Sequence, residues 1–252
     1  MLLIKIIVLA VIQGITEFLP ISSSGHLLFF QHLFGLTEAQ LTLDVLLHGG
    51  TLFSILYFFR KKIWSLLASR DYAYFSRIFI GILPAGIIGL LLDEWVESHL
   101  FLLPILSLTW LVNGIQLQFT DREKEAPVKP GIRQAWIVGW AQVIALLPGI
   151  SRAGTTITAG VQAGMTREDA AEYSFMLAIP LLAGATLLKT HQLFTIPSPY
   201  PVSFLLTGFI VTFFCGIIAL KLLYWTLAGK RFRYFSYYCI FMAFTALLVW
   251  IL

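Results

Sequence analysis

Residues 13–26 read Gln-Gly-Ile-Thr-Glu-Phe-Leu-Pro-Ile-Ser-Ser-Ser-Gly-His, between apolar runs on either side. The stretch holds an amide (Gln13), a carboxylate (Glu17), three hydroxyls (Ser22, Ser23, Ser24) and an imidazole (His26). Pro20 and Gly25 interrupt helix, so backbone polar groups are freed there as well. A second break, Pro148-Gly-Ile-Ser151-Arg152-Ala-Gly154-Thr155-Thr156, carries what the first lacks, a permanent cation. Arg152 beside hydroxyls and glycine-flanked amides at a helix start makes a cradle for phosphate. The remaining groups suit phosphoryl transfer. A serine could attack phosphorus or bind phosphate; His26 could be the general base or the acid that protonates the leaving group. Glu17 could hold a divalent cation that bridges phosphates, or activate the nucleophile. A blander reading pairs Glu17 with Arg152 structurally and uses the serines as helix caps. Charged groups inside a membrane are usually functional, which favours chemistry.

The elements that position these groups must be membrane helices. The chain is 58% hydrophobic and 12% charged, with a mean hydropathy of +0.85. Soluble domains carry roughly 25% charged residues, so this chain lacks the polar surface of one. The net charge of +4 is small and gives no sign of nucleic acid as a partner. The first residues, Met-Leu-Leu-Ile-Lys, show one charge and no small-residue cleavage site, and read as a retained helix. Apolar pieces at 1–12 and 27–35 are each too short for the ~20 residues of a span. Joined by the polar stretch they predict a re-entrant hairpin. Spans are expected at 43–59, 78–97 and 101–119, with Asp93, Glu94 and Glu97 closing the second and a tight turn at 98–100. Asp121-Arg-Glu-Lys-Glu125, then Pro127 and Pro130, mark a linker over 120–133. A short helix at 134–147, the second break and a piece to Gly164 form another hairpin. Thr166-Arg-Glu-Asp169 reads as a capped helix start for a span at 170–189. The Pro-rich loop Ile196–Pro201 leads to spans at 202–225 and 235–252.

The predicted fold is therefore an all-α integral membrane protein, residues 1–252 forming one membrane domain. It has an inverted-topology repeat, 1–119 against 134–252, with six transmembrane helices and two re-entrant hairpins. A shift of 129 residues lays Gln13 on Gln142, Ile21 on Ile150, Ser22 on Ser151, Gly25 on Gly154 and Arg60 on Lys189. The basic stretches 60–77 and 230–233 belong in the cytoplasm by the positive-inside rule. Counting spans from there puts 120–133 inside, 98–100 outside and both termini outside. The hairpins then enter from opposite faces, and such repeats place a site near the midplane, at their interface.

Other polar residues carry weaker expectations. Asp44 and His48 lie four apart on one helix face, and could line the cavity, add to a metal site, or be a cap and an interfacial His. Gln142 is expected to pair with the first hairpin. Glu168 and Asp169 suit a helix first turn, and Glu172 is a candidate pore-facing group. Trp64, Trp95, Trp136, Trp225 and Trp250 sit near span ends as interface anchors. Cys215 and Cys239, far apart in apolar runs, read as small hydrophobes with no disulfide or metal between them.

With the segments Gln13–His26 and Leu147–Thr156, the chain resembles the undecaprenyl-pyrophosphate phosphatases of the bacitracin-resistance type along its full length. The resemblance implies an enzyme of the bacterial cytoplasmic (inner) membrane whose site opens to the outer face. Such an enzyme removes the terminal phosphate of undecaprenyl pyrophosphate, returning the monophosphate lipid carrier to peptidoglycan synthesis, and uses a divalent cation (Mg²⁺ or Ca²⁺). Glu17, Ser23, His26 and Arg152 match the family's essential positions, and Ser22, Ser151 and Thr156 match supporting ones. Ser24, Gly154 and Thr155 complete the expected substrate-binding set. Gln13 stands where many members have a first Glu, and Ala153 where a Ser is common. The implied partners are the lipid substrate, membrane lipids and, as a candidate, a second copy of the chain. A transporter or flippase for an isoprenyl phosphate lipid is the alternative; it would need no nucleophile and no acid–base pair.

Overall fold

In the computed structural model, residues 1–36, 40–121, 127–193 and 200–252 are described, without the side chains of residues 40, 41, 93, 97 and 191–193. Among them every regular element is a helix: α1 (Leu2–Thr16), α2 (Ser23–Phe34), α3 (Gln40–Phe58), α4 (Arg60–Ser69), α5 (Tyr72–Leu100), α6 (Leu103–Leu117), α7 (Ile132–Ile144), α8 (Arg152–Gln162), α9 (Arg167–Leu193), α10 (Val202–Ala228) and α11 (Phe232–Ile251). Four of these, α5, α9, α10 and α11, are long and apolar enough to cross a membrane. The number rises to six if α3 with α4, and the end of α5 with α6, each count as one bent span. Leu90, Leu91, Phe214, Ile218, Phe241 and Phe244 are exposed on the outside, as are the five expected anchor tryptophans. Apolar side chains this numerous on a surface belong against lipid.

Both polar breaks are shorter than their sequences suggest. α1 continues to Thr16, whose hydroxyl donates to the Ile12 carbonyl at 2.7 Å. Pro20 has no N–H to extend the helix, and the chain turns over 17–22 before α2 starts at Ser23. The second break occupies 145–151. The chemistry-bearing residues therefore sit on helix ends rather than in a long loop. A larger departure is α4. Residues 60–77 read as a loop, but Arg60–Ser69 forms a helix bent 65° from α3. It buries Leu66 and leaves Arg60, Lys61 and Trp64 exposed, the pattern of a helix lying in an interface.

Packing pairs α1 with α10 and α7 with α5, while α3 lies against α9 and α10, and α6 against α11. Glycine permits the first two approaches. A Cβ at Gly14 would stand 2.6 Å from Cys215 Cβ, and one at Gly139 would stand 2.7 Å from the Gly81 carbonyl oxygen. Small residues at such contacts let lipid-embedded helices pack closely. The basic end of the bundle is laced together. Lys62 Nζ meets Glu172 at 2.7 Å, Arg77 donates to the Pro130 carbonyl, and the Val128 amide donates to the Gly164 carbonyl. Glu172 thus has an ion-pair partner on α4. Thr166 Oγ1 accepts from the Asp169 amide at 3.0 Å, the expected cap. Both cysteines are free, Cys239 buried and Cys215 half-buried. Of the expected linker acids only Asp121 is described; 122–126, and 196–199 of the Pro-rich loop, lie outside the described residues, as do the side chains of Asp93 and Glu97.

Candidate active site

Glu17 caps the C-terminus of α1, its amide donating to the Gln13 carbonyl at 3.0 Å. Ser22 is the N-cap of α2, at φ 71°, and its hydroxyl accepts from the Gly25 amide. A serine held at positive φ is strained by on the order of 1–3 kcal/mol, and such residues cluster at functional sites. Ser151 caps α8 in the same way, accepting from the Gly154 amide at 3.1 Å. The first residues of the two helices are then Ser23 and Arg152, and both reach the same carboxylate. Ser23 Oγ donates to Glu17 Oε2 at 2.5 Å, and Arg152 Nη2 donates to Oε1 at 2.6 Å. Gln13 Nε2 adds a bond to Oε2 at 3.1 Å, and His48 Nε2 of α3 lies 3.9 Å from that oxygen. Glu17 is only 7% exposed. Two helix N-termini, whose first amides lack intrahelical acceptors, converge on this one anion. That is an anion site by geometry and dipole alike.

The two breaks are held in register by α6, which sequence reading passed over. Trp110 Nε1 donates to the Ile21 carbonyl and Asn113 Nδ2 to the Pro20 carbonyl, each at 3.0 Å. The Ser151 amide donates to Asn113 Oδ1 at 3.0 Å. Thr109 donates to the Pro148 carbonyl at 2.5 Å, and Gln116 bonds both Thr155 Oγ1 and Asn113 Oδ1. Irregular backbone at membrane depth must be satisfied by protein in this manner. A signal was present: Thr109, Asn113 and Gln116 recur at helical spacing in an apolar run.

Other expected site residues are engaged within the protein. His26 was expected beside Ser23 as a proton carrier. Its Nδ1 instead bonds the Ser22 carbonyl at 2.7 Å and its Nε2 the Tyr238 hydroxyl at 2.8 Å. Its ring stacks on Tyr238 and meets the edge of buried Trp110. Thr156 bonds the Arg152 carbonyl and Ser174, and Thr155 accepts from Gln116. The Gly154 amide is taken by Ser151. Ser24 Oγ lies 3.3 Å from Ser22 Oγ. These bonds build the turn and the start of α8. Asp44 accepts from Gln31 at 2.8 Å. Gln142 is buried with neither amide atom bonded, so the expected link to the first hairpin is not made. Gln13 Oε1 and Arg152 Nη1 are likewise buried without a partner. An unmade bond of this kind costs about 1–3 kcal/mol, and more for a charged group. Both atoms border Glu17, so the site as it stands leaves one acceptor and one cationic donor for a ligand.

Among the described residues no three His, Cys, Asp or Glu side chains group as a metal site. What a cation could use is Glu17, the orphaned Gln13 oxygen and His48. A model of the family described as bacitracin resistance protein BacA matches residues 6–245. The chain is 39% identical over 243 residues to a protein of Rhodopirellula baltica named undecaprenyl-diphosphatase, covering 94% of each. Proteins of the same name from Thermodesulfovibrio yellowstonii and Halothermothrix orenii are 38% and 37% identical, covering 96% and 93% of this chain and 95% and 93% of theirs.

Proposed function

The chain belongs to the BacA family of bacitracin resistance proteins, and from that membership we infer that it is an undecaprenyl-diphosphatase. It hydrolyses undecaprenyl diphosphate to the monophosphate lipid and inorganic phosphate. The observation that carries the reading is the single carboxylate, Glu17, shared by Ser23 and Arg152 at the starts of α2 and α8.

The chemistry follows from those bonds. Arg152 binds the diphosphate, with its unpaired Nη1 free for a second phosphate oxygen; a fork-shaped cation suits that task. The first amides of α2 and α8 add fixed partial charge where negative charge gathers in the transition state. Ser23 Oγ attacks the terminal phosphorus, and its proton passes to Glu17, to which it is already bonded. The anhydride P–O bond breaks and undecaprenyl phosphate leaves. Water then releases phosphate from Ser23. His26 holds the Ser22 carbonyl, and so the turn that aims Ser23. Glu17 and the Gln13 amide oxygen fit a divalent cation, which when bound neutralises charge across the diphosphate.

The isoprenoid tail lies along the apolar walls between spans. We place the enzyme in the bacterial cytoplasmic membrane with its site opening outward and both termini outside. The halves 1–119 and 134–252 are read as inverted repeats. In support, α1 pairs with α10 as α7 pairs with α5, and the N-caps Ser22 and Ser151 make equivalent bonds. The relatives' names speak for hydrolysis and none for transport alone.

The test is phosphate release from undecaprenyl diphosphate by the purified protein with Mg²⁺ or Ca²⁺. Wild type should release phosphate. Arg152→Ala should lower the rate by roughly a hundredfold or more, as loss of one preorganised charge-stabilising group does, and Ser23→Ala should lower it at least as far, because it removes the nucleophile. No release by wild type, or full release by Arg152→Ala, overturns the reading. Lipid translocation in liposomes without hydrolysis would replace it with the flippase.

A further inference from the structure

We infer that His48 is the third protein ligand of the divalent cation, beside Glu17 and Gln13. The inference rests on the cation reading above and extends it to a residue on a different helix. His48 Nδ1 lies 2.7 Å from the Asp44 carbonyl. A carbonyl oxygen only accepts, so Nδ1 carries the proton and a neutral His48 keeps its lone pair on Nε2. That lone pair faces Glu17 Oε2 at 3.9 Å. The separation is too long for a hydrogen bond, and it sets two acceptors against each other. It is short enough for both to reach one ion with ligand bonds of about 2.0–2.2 Å. The third acceptor is Gln13 Oε1, buried and without a donor, on an amide whose nitrogen is 3.1 Å from the same Glu17 oxygen. Turning that amide about its last bond exchanges its oxygen and nitrogen.

The support behind His48 is that of a metal-binding imidazole. Such a histidine donates its other ring N–H to a carbonyl or carboxylate, which fixes the tautomer. Here His48 Nδ1 donates to the Asp44 carbonyl, and the Asp44 carboxylate is itself tied to Gln31. His26, the other imidazole at the hairpin, has both nitrogens occupied by protein. His48 is also open to solute, its side chain being 30% exposed beside a Glu17 that is 5% exposed. A donor set of one carboxylate, one amide oxygen and one imidazole is softer than an all-oxygen site. It favours Mn²⁺ and other transition ions over Ca²⁺.

Pulsed electron paramagnetic resonance of Mn²⁺ bound to the whole protein in lipid nanodiscs tests this. Bound Mn²⁺ should show nitrogen modulation from an imidazole. Growing the unmutated protein on isotopically labelled histidine should change that modulation, which separates histidine from the Gln13 amide without relying on a variant. His48→Gln should abolish it and weaken Mn²⁺ binding by at least roughly tenfold; Glu17→Gln should do the same. No binding, no histidine modulation in wild type, or modulation that survives either substitution overturns the inference. Phosphate release is read separately: activity without histidine coupling removes only the cation ligand, and coupling without activity removes only the phosphatase reading.

Discussion

Gln13 and Glu17 stand 3.1 Å apart at the end of α1, amide nitrogen to carboxylate oxygen, in a pocket where Gln13 is wholly buried. Gln13→Glu would set two carboxylates against each other there. At an effective dielectric of about 20 and a separation near 4 Å, their repulsion is roughly 4 kcal/mol. A divalent cation between them converts the repulsion into two ligands. The variant should therefore unfold at a lower temperature than wild type without cation, and recover more than wild type when Mg²⁺ is added. Equal responses to Mg²⁺ in the two proteins would count against a cation held by Gln13 and Glu17. At this scale the sequence was most legible where a charge stood in an apolar run. Glu17 and Arg152 stand out on that ground, and the fold brings them into contact across 135 residues; which of the three serines acts came from the family resemblance. His26 was less legible, because its partner Tyr238 lies 212 residues away and looks like any interfacial tyrosine. His48 was visible only as one turn from Asp44; that its free nitrogen faces Glu17 depends on how α3 packs on α1.

The helices were found by apolar run and punctuation, and their ends moved where capping decided them. Ser22 and Ser151 start α2 and α8 at the very residues that act, Ser23 and Arg152. α4 escaped because a basic, amphipathic stretch reads as a loop unless an interface is supplied for its apolar side. The role of α6 escaped because Asn113 answers for two backbone groups, at Pro20 and Ser151, that belong to different halves. What sets the distance between helices can be tested on α7. Adding a methyl group to a helical glycine gains roughly 0.5–1 kcal/mol from backbone entropy. At Gly139 the added Cβ would meet the Gly81 carbonyl at 2.7 Å. Overpacking against rigid backbone costs about 1–3 kcal/mol, so the clash wins. Gly139→Ala should lower the unfolding temperature, and by shifting α7 it should also lower phosphate release. Gly184 in α9 has nothing within 4 Å of its would-be Cβ, so Gly184→Ala should be neutral or mildly stabilising. If the two substitutions behaved alike, close α5–α7 approach would not be what fixes the second hairpin.

At the scale of the whole molecule, the proposed inverted repeat builds the site from two breaks that enter from opposite membrane faces, and so requires an odd number of crossings between them. α5 has 29 residues, about 44 Å at 1.5 Å per residue, more than a hydrocarbon core of roughly 30 Å requires. Arg70 precedes it and Ser98 lies in its last turn, so the two must label from opposite sides. His32, in the last turn of α2 and ahead of α3, belongs on the side of Ser98 in the proposed topology. Lys129 and Lys230 stand with Arg70 at the basic end. All five are exposed, and an impermeant maleimide spares the native thiols, which lie inside helices. Cysteines placed one at a time at His32 and Ser98 should react in intact cells, whereas those at Arg70, Lys129 and Lys230 should react only once the membrane is opened. The proposed orientation sets the basic end in the cytoplasm, following the positive-inside rule. A reversed pattern would keep the fold and turn the site to face inward. Ser98 labelling together with Arg70 would remove α5 as a crossing. The two hairpins would then enter from the same face, and Arg152 could not meet Glu17 by the inverted route.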